Sequence, residues 1–140
     1  MILSLFIYLV MTHIIETAGC IPILNGKIIL VGTDKGHFIF PKGKIKSGET
    51  AAEAATRETK EESGCKGEIF GDKINIKIEK NDEIEDLTLF KMHVKDRKLH
   101  FDEFKRRKLL EISPSDIPNN KHIHKYVKKI IKEYFIPKHS

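Results

Sequence analysis

Residues 43–65, GKIKSGETAAEAATRETKEESGC, constrain the fold and chemistry of this chain more than any other segment. They place glycines, an arginine and four glutamates at fixed distances: Gly43, Glu49, Arg57, Glu58, Glu61, Glu62 and Gly64. Thr50 followed by Glu53 is a capping-box pattern, and the alanines after it are strong helix formers. The segment therefore predicts a loop and then a helix over residues 51–63, which ends at Gly64 in a left-handed conformation.

Three carboxylates of this helix are expected to lie close together. Glu58, Glu61 and Glu62 are three or four residues apart or adjacent, so they converge within one helical turn. Crowded carboxylates repel one another unless a cation lies among them, and oxygen-only ligands suit Mg²⁺. Such an ion can neutralise phosphate charge and activate a water, which indicates hydrolysis of a phosphoanhydride. The alternative, a solvated acidic helix face, does not account for the matching residues upstream.

The full spacing resembles the Nudix box, Gx5Ex7REUxEExGU, in which U is an apolar residue. The match runs from Gly43 to Cys65, and Thr59 stands where an aliphatic residue is usual. A buried threonine at this position is expected to return its hydroxyl to a carbonyl of the preceding turn. The resemblance implies the Nudix fold, an α/β/α sandwich with a mixed β-sheet.

The same resemblance implies a role for each charged residue of the box. Glu58 and Glu62 would hold Mg²⁺, with Mn²⁺ as the alternative ion, and Glu61 would accept the proton from the attacking water. Arg57 and Glu49 would form an ion pair that braces the loop against the helix.

Outside the box, the chain resembles diphosphoinositol polyphosphate phosphohydrolases, which also cleave diadenosine polyphosphates. The matching segments are Ala18–Pro22, Phe38–Gly43 and the basic cluster Lys105–Lys108, and the resemblance covers roughly residues 17–135. It implies a polyanionic, phosphorylated small molecule as the substrate.

Several cations are candidates for binding that substrate. Lys42 and Lys44 flank Gly43, and Lys35 precedes them by one strand. Lysine binds phosphate as a point charge, whereas Arg106 or Arg107 offers a bidentate fork.

The composition agrees with this chemistry but does not select one substrate. The 25 Lys and Arg residues exceed the 20 Asp and Glu residues, which gives a formal charge of +5 and favours anionic partners. Nucleic acid is the less favoured partner. Two other functions stay open: a nucleotide pyrophosphatase that acts on capped RNA or (d)NTPs, and a noncatalytic module that binds a phosphorylated ligand.

The length of 140 residues and the 40% hydrophobic content fit one domain, which we place at residues 17–136. An apolar N-terminal extension, residues 1–16, precedes it. Its apolar run MILSLFIYLVM is too short to cross a bilayer, and it lacks the features of a secretory signal. Stable membrane insertion is therefore not expected, and Met11 is an alternative start.

The two cysteines lack metal-ligand spacing, so we predict that Cys20 and Cys65 are reduced packing residues. Reduced cysteines favour a cytoplasmic protein, with the nucleus as the alternative location. The oligomeric state is not determined by the sequence.

Short apolar runs, and alternation of apolar and polar residues, predict the strands. The first two form a hairpin at Asn25-Gly26, and the later strands flank an acidic loop at residues 81–86. The predicted strands are Ala18–Leu24, Lys27–Thr33, His37–Phe40, Lys73–Glu79, Leu87–Val94 and Phe104–Ile112. The C-terminal apolar stripe predicts an amphipathic helix whose buried residues are Ile123, Val127, Ile130, Ile131 and Tyr134.

Overall fold

The computed structural model describes residues 13–98 and 107–137. Within these ranges, seven strands form one sheet and two α-helices lie against it. The strands are β1 (His13–Leu24), β2 (Lys27–Gly32), β3 (Phe38–Ile39), β4 (Lys42–Lys44), β5 (Cys65–Lys80), β6 (Glu83–Arg97) and β7 (Leu109–Ile112). The helices are α1 (Ala51–Ser63) and α2 (Lys125–Tyr134), and a short 3₁₀ turn spans Pro114–Asp116.

The sheet is mixed, as predicted. Its main order is β3-β2-β1-β6-β5, while β4 pairs with β1 and β7 pairs with β2. Strands β1 and β6 are parallel, and the other pairs are antiparallel. The pairing of β4 with residues 17–19 of β1 places the start of the box beside the middle of the sheet.

Small side chains let α1 approach one face of the sheet. Ala54 and Ala55 are fully buried, and they pack with Ala18 and Cys20 of β1 and Met92 of β6. Alanine has no side chain beyond Cβ, so the helix axis lies close to the strands. The glutamates of α1 are thereby held at the sheet.

The opposite face of the sheet carries the larger core, which α2 covers. Val127, Ile130 and Ile131 of the helix are buried against the sheet. Leu87 and Leu89 of β6 point to this face because alternate residues of a strand share a face. The predicted arrangement of helices on both sides of a mixed sheet is confirmed.

Two details of the predicted C-terminal helix are wrong. Ile123 is buried, but it lies before the first residue of α2. It pairs with Phe38 in an isolated β-bridge. Tyr134 is 53% exposed, whereas Phe135 and Ile136, which follow it, pack against the core. The residue that caps the start of α2 is His124, whose Nδ1 accepts a hydrogen bond from the Tyr126 N–H.

The predicted acidic loop at residues 81–86 is also wrong. The hairpin turn consists of Asn81 and Asp82, with Asn81 at φ 47°, and β6 already begins at Glu83. Lys42 and Lys80 contact Glu85 and balance its charge, so an acidic segment forms a buried strand here.

Some predictions lie outside the described residues. These include the apolar run at the N-terminus, Arg106, and the start of the predicted strand at Phe104. Within the described ranges, neither helix is long and apolar enough to cross a membrane.

Candidate active site

The start of α1 is fixed by the predicted capping box. Thr50 Oγ1 accepts a hydrogen bond from the Glu53 N–H at 3.1 Å, and Glu53 Oε1 accepts one from the Thr50 N–H at 2.9 Å. The helix ends at Gly64, whose φ of 73° is left-handed as predicted. Together these caps set which glutamates face the sheet.

The predicted ion pair between Arg57 and Glu49 forms with bidentate geometry. Arg57 Nε lies 2.7 Å from Glu49 Oε2, and Nη2 lies 2.9 Å from Oε1. Arg57 Nη2 also donates to the Lys44 carbonyl oxygen, and the Lys46 N–H donates to Glu49. The hydrogen bonds from Arg57 and from the Lys46 N–H lower the pKa of Glu49 to about 2. The loop before α1 is thus tied to the helix by charge-assisted bonds.

One guanidinium nitrogen brings two carboxylates of α1 together. Arg57 Nη1 donates to Glu58 Oε1 at 2.7 Å and to Glu61 Oε2 at 3.3 Å. The Glu58 side chain is 8% exposed and that of Glu61 is 26% exposed. Glu61 is therefore the more accessible of the two to solvent.

Glu62 is held from two sides. Its Oε1 accepts a hydrogen bond from the Lys42 N–H at 2.9 Å, and its Oε2 lies 2.9 Å from Arg107 Nε. The Glu62 side chain is only 3% exposed, whereas that of Arg107 is 39% exposed. Arg107 also donates from Nη1 to the Gly32 carbonyl oxygen.

Gly43 is required by contact rather than by backbone conformation. A Cβ at this position would collide with the Glu58 carboxylate. The glycine at the start of the box thus leaves room for a buried carboxylate against β4.

The donor set fits a hard divalent cation. Glu58, Glu61 and Glu62 supply only carboxylate oxygens, and two of them are buried beside cationic groups that balance their charge. Within residues 13–98 and 107–137, no three His, Cys, Asp or Glu side chains are already arranged as metal ligands. The described contacts instead direct these carboxylates toward Arg57, Arg107 and the Lys42 N–H.

A cationic cavity of about 420 Å³ lies on the sheet face covered by α2, and we call it the Lys42 cavity. Its lining includes three lysines and two histidines. The residues that line it are Thr33, Lys35, His37, Ile39, Lys42, Ile78, Lys80, Glu85, His124 and Tyr126. The predicted residues Lys35 and Lys42 are therefore at the cavity, whereas Lys44 is exposed on β4 and does not line it.

Glu85 is a central residue of this cavity that sequence reasoning missed. Its Oε2 accepts from Lys42 Nζ at 2.6 Å and from Thr17 Oγ1 at 2.7 Å, and its Oε1 accepts from Lys80 Nζ at 2.8 Å. The sequence did contain a signal, because Glu85 is two residues before Leu87 and shares its face of the strand.

The histidines differ in position. His124 is half-buried in the Lys42 cavity, where burial and the nearby positive charges lower its pKa. His122 lines a neighbouring cavity with Arg107. His93 stacks on Phe70 with ring centroids 3.7 Å apart.

Thr59 does not return its hydroxyl to the preceding turn, so that prediction is wrong. Thr59 is fully buried, and among the described residues its Oγ1 forms no hydrogen bond of standard geometry; the Cys20 thiol, whose pKa it acts to lower, is a weak partner. The neighbouring Cys20 is a free, buried thiol, and burial raises its pKa to about 11. Cys65 is also free and buried, so neither cysteine is in a disulfide.

Solved structures share this architecture at low sequence identity. The MutT protein from Methanosarcina mazei Go1 is 19% identical, with a TM-score of 0.72 over 87% of this chain and 93% of that chain. A C. elegans Ap4A hydrolase binary complex is 20% identical, with a TM-score of 0.65 over 86% and 94%. The E. coli ORF135 protein is 23% identical, with a TM-score of 0.65 over 86% and 88%. At these identities the likeness establishes the fold alone.

A comparison with family models identifies the family of the chain as well as its fold. No curated protein is a significant match to the sequence. The family model of the NUDIX domain matches residues 14–122, a range that contains the whole box and most of the sheet. The chain therefore belongs to the Nudix domain family.

Proposed function

We propose that this protein is a divalent-metal-dependent hydrolase that cleaves phosphoanhydride bonds in highly phosphorylated small molecules. The observation that carries the proposal is the set of carboxylates on α1 and its connection to the cationic cavity through Lys42, whose N–H donates to Glu62 and which lines the Lys42 cavity. Nudix hydrolases act on pyrophosphate bonds of phosphorylated molecules and generally use divalent metals such as Mg²⁺. Family membership therefore supports the reaction class.

Glu58 and Glu62 are the residues that would hold Mg²⁺ or Mn²⁺. A bound divalent ion would neutralise charge on the phosphates and make a water more acidic. Burial of both side chains supports this role, because it keeps two oxygen ligands dehydrated and fixed near β4. Gly43 leaves the space that Glu58 occupies.

Glu61 is the residue that would take the proton from the attacking water. Its 26% exposed side chain gives it access to solvent, and its contact with Arg57 holds it in place. Arg57 and Glu49 act indirectly, because their bidentate pair fixes the loop that precedes the glutamates.

We propose diphosphoinositol polyphosphates and diadenosine polyphosphates as the substrates, bound at the Lys42 cavity. Lys35, Lys42 and Lys80 present positive charge there, and Glu85 offsets only part of it. A substrate with several phosphates matches such a wall. Arg107 adds a guanidinium near Glu62.

A nucleotide pyrophosphatase is the second candidate function. Ile39, Ile78 and the rings of His37 and His124 give the Lys42 cavity an apolar part that suits a nucleobase. The fold likeness to a C. elegans Ap4A hydrolase is compatible with this candidate.

The experiment is a substrate panel with Mg²⁺: diphosphoinositol pentakisphosphate, diadenosine polyphosphates, capped RNA and nucleoside triphosphates. Each is assayed with wild type, Glu61→Gln and Glu62→Gln, and with Glu53→Gln as the matched control. Glu53 is an exposed carboxylate on the same helix, and glutamine keeps its capping acceptor. We expect Glu61→Gln to lower kcat on the order of 10²- to 10⁴-fold, the usual contribution of a general base.

The outcomes separate the candidates. Hydrolysis that neither substitution reduces would overturn the mechanism. Turnover confined to capped RNA or nucleoside triphosphates would select the second candidate. Tight binding without turnover of any compound would identify a noncatalytic binding module.

A further inference from the structure

Glu62 carries a buried charge whose partners belong to two different parts of the chain. The Lys42 N–H holds one oxygen from β4, and the Arg107 guanidinium holds the other from the residues before β7. Removing one partner of a buried carboxylate is costly, because the remaining charge is then unpaired and dehydrated. Arg107 is therefore one of the groups that balance the Glu62 charge, and a cation that replaced it at Oε2 would balance that charge too.

Arg107 is placed to leave this carboxylate without unfolding its surroundings. Its side chain is 39% exposed, and the hydrogen bond from its Nη1 to the Gly32 carbonyl oxygen is long at 3.4 Å. The adjacent backbone is anchored separately, because the Gly32 N–H donates to the Lys108 carbonyl oxygen at 2.8 Å and β7 pairs with β2. The side chain can therefore move while its Cα stays fixed.

A second cavity, of about 430 Å³, opens beside Arg107, and we call it the Arg107 cavity. Its lining includes Lys108 and His122, and it shares Thr33 and His37 with the Lys42 cavity. If the guanidinium turned away from Glu62, the lining of this cavity would combine two cationic side chains, Arg107 and Lys108, with one carboxylate, Asp34. The excess positive charge favours a bound anion, and the planar fork of arginine matches phosphate oxygens.

We infer that Arg107 is an exchangeable counter-cation of Glu62, which yields this carboxylate to a divalent metal and then binds a substrate phosphate in the Arg107 cavity. The inference rests on the proposed function, because it assumes that Glu62 holds the metal. Metal and guanidinium repel each other at one carboxylate, so both do not bind Oε2 at full strength. Metal binding and phosphate binding are then coupled, and the coupling is reciprocal.

The first test measures Mn²⁺ affinity without substrate, by calorimetry and by electron paramagnetic resonance, in wild type and Arg107→Gln. Because the substitution removes the competing cation, we expect metal binding to tighten roughly three- to tenfold, the effect of a partly exposed ion pair. Lys108→Gln is the matched control, since it removes one positive charge from a residue that lines the same cavity. Its Mn²⁺ affinity should stay within about twofold of wild type.

The second test measures binding of inorganic tripolyphosphate with and without Mn²⁺. In wild type, we expect Mn²⁺ to strengthen tripolyphosphate binding more than it does in Arg107→Gln, because only wild type gains a released guanidinium. Arg107→Lys provides a folded variant that keeps the charge but not the fork. Its Mn²⁺ affinity should lie between those of wild type and Arg107→Gln.

Each result decides a distinct question. Unchanged or weaker Mn²⁺ binding by Arg107→Gln, with wild-type binding intact, would overturn the exchange. Equal tightening in Lys108→Gln would overturn it too, because the effect would then be long-range charge. If Glu62→Gln binds Mn²⁺ as well as wild type does, Glu62 does not hold the metal. That result would contradict the proposed function itself, not only the exchange.

Discussion

Lys42 connects the box to the Lys42 cavity through two different groups. Its backbone N–H donates to Glu62, and its ammonium lies 2.6 Å from Glu85. Burial lowers the pKa of Lys42, and the charge of Glu85 opposes that change. Burial acts to raise the pKa of Glu85. The charge of Lys42 and the hydrogen bonds from Lys42, Lys80 and Thr17 outweigh burial and lower this pKa to about 2. Each charge is thus maintained near neutral pH by its partner.

A pH-dependent stability difference is expected for Glu85→Gln. The folded pKa of Glu85 is below its ordinary value, so the carboxylate stabilises the folded state above about pH 4.5. This contribution is lost as the pH falls toward 2, where the folded group is protonated. We expect Glu85→Gln to lower the free energy of unfolding by about 3 kcal/mol at pH 7, because Lys42 is left buried without its counter-ion.

Urea denaturation at several pH values measures this difference. The gap between wild type and Glu85→Gln should narrow as the pH falls from about 4.5 to about 2. Glu83→Gln, an exposed change on the same strand, should give no comparable gap. A gap that is constant over this range would contradict the assigned ion pairs.

At the scale of the element, α1 combines two surfaces that demand different residues. Its alanines bring the helix onto the sheet, and its glutamates need space and counter-charges at one end. Thr59 lies in the buried part, where its hydroxyl forms no hydrogen bond of standard geometry among the described residues and has only the weak Cys20 thiol beside it. A buried, unsatisfied hydroxyl costs free energy, so Thr59 is a destabilising position in an otherwise well-capped helix.

Thr59→Val is expected to stabilise the protein. Valine keeps the shape of threonine and removes the unsatisfied hydroxyl, so the free energy of unfolding should rise by about 1 kcal/mol. The midpoint of urea denaturation measures the change. Thr56→Val is the matched control on the same helix, because Thr56 is exposed and donates to the Ala52 carbonyl oxygen at 2.9 Å. Destabilisation by Thr59→Val would show that the hydroxyl does have a stabilising partner.

At the scale of the molecule, charge is separated between the two sides of the proposed site. The carboxylates of α1 lie at the sheet near β4, whereas lysines line the adjoining cavity. The net charge of +5 adds a general attraction for anions. In the proposed function, the carboxylates bind the metal ion and the lysines bind the phosphate-rich substrate, so groups of opposite sign serve the two ligands.

Substrate affinity should depend on ionic strength more than turnover does. Raising NaCl from about 50 to about 300 mM shortens the screening length, so KM for a phosphorylated substrate should rise several-fold with little change in kcat. Steady-state kinetics at constant free Mg²⁺ measure both constants. Lys35→Gln should reduce the salt dependence of KM, whereas Lys129→Gln, an exposed change on α2, should not. Equal salt dependence in both variants would contradict a specific role for the cavity.

The local signals in the sequence predicted α1 well. The capping box, the helix bounds and the left-handed Gly64 all depend on residues within a few positions of each other. The hairpin at Asn25-Gly26 is confirmed for the same reason, with both residues at positive φ. Longer-range features were predicted less well: β1 and the β5–β6 hairpin extend beyond their predicted bounds, because pairing with neighbours continues strands through polar residues.

The sequence by itself determined the box, its helix and the family to which the chain belongs, because these depend on the spacing of residues along one segment. Only the tertiary structure brought Glu85 to Lys42, and Arg107 to Glu62. Those partners are separated by more than forty residues, so no local pattern pairs them. The pairing of β1 with β4 and β6 decides their distances, and buried charges then require the partners that the fold places beside them.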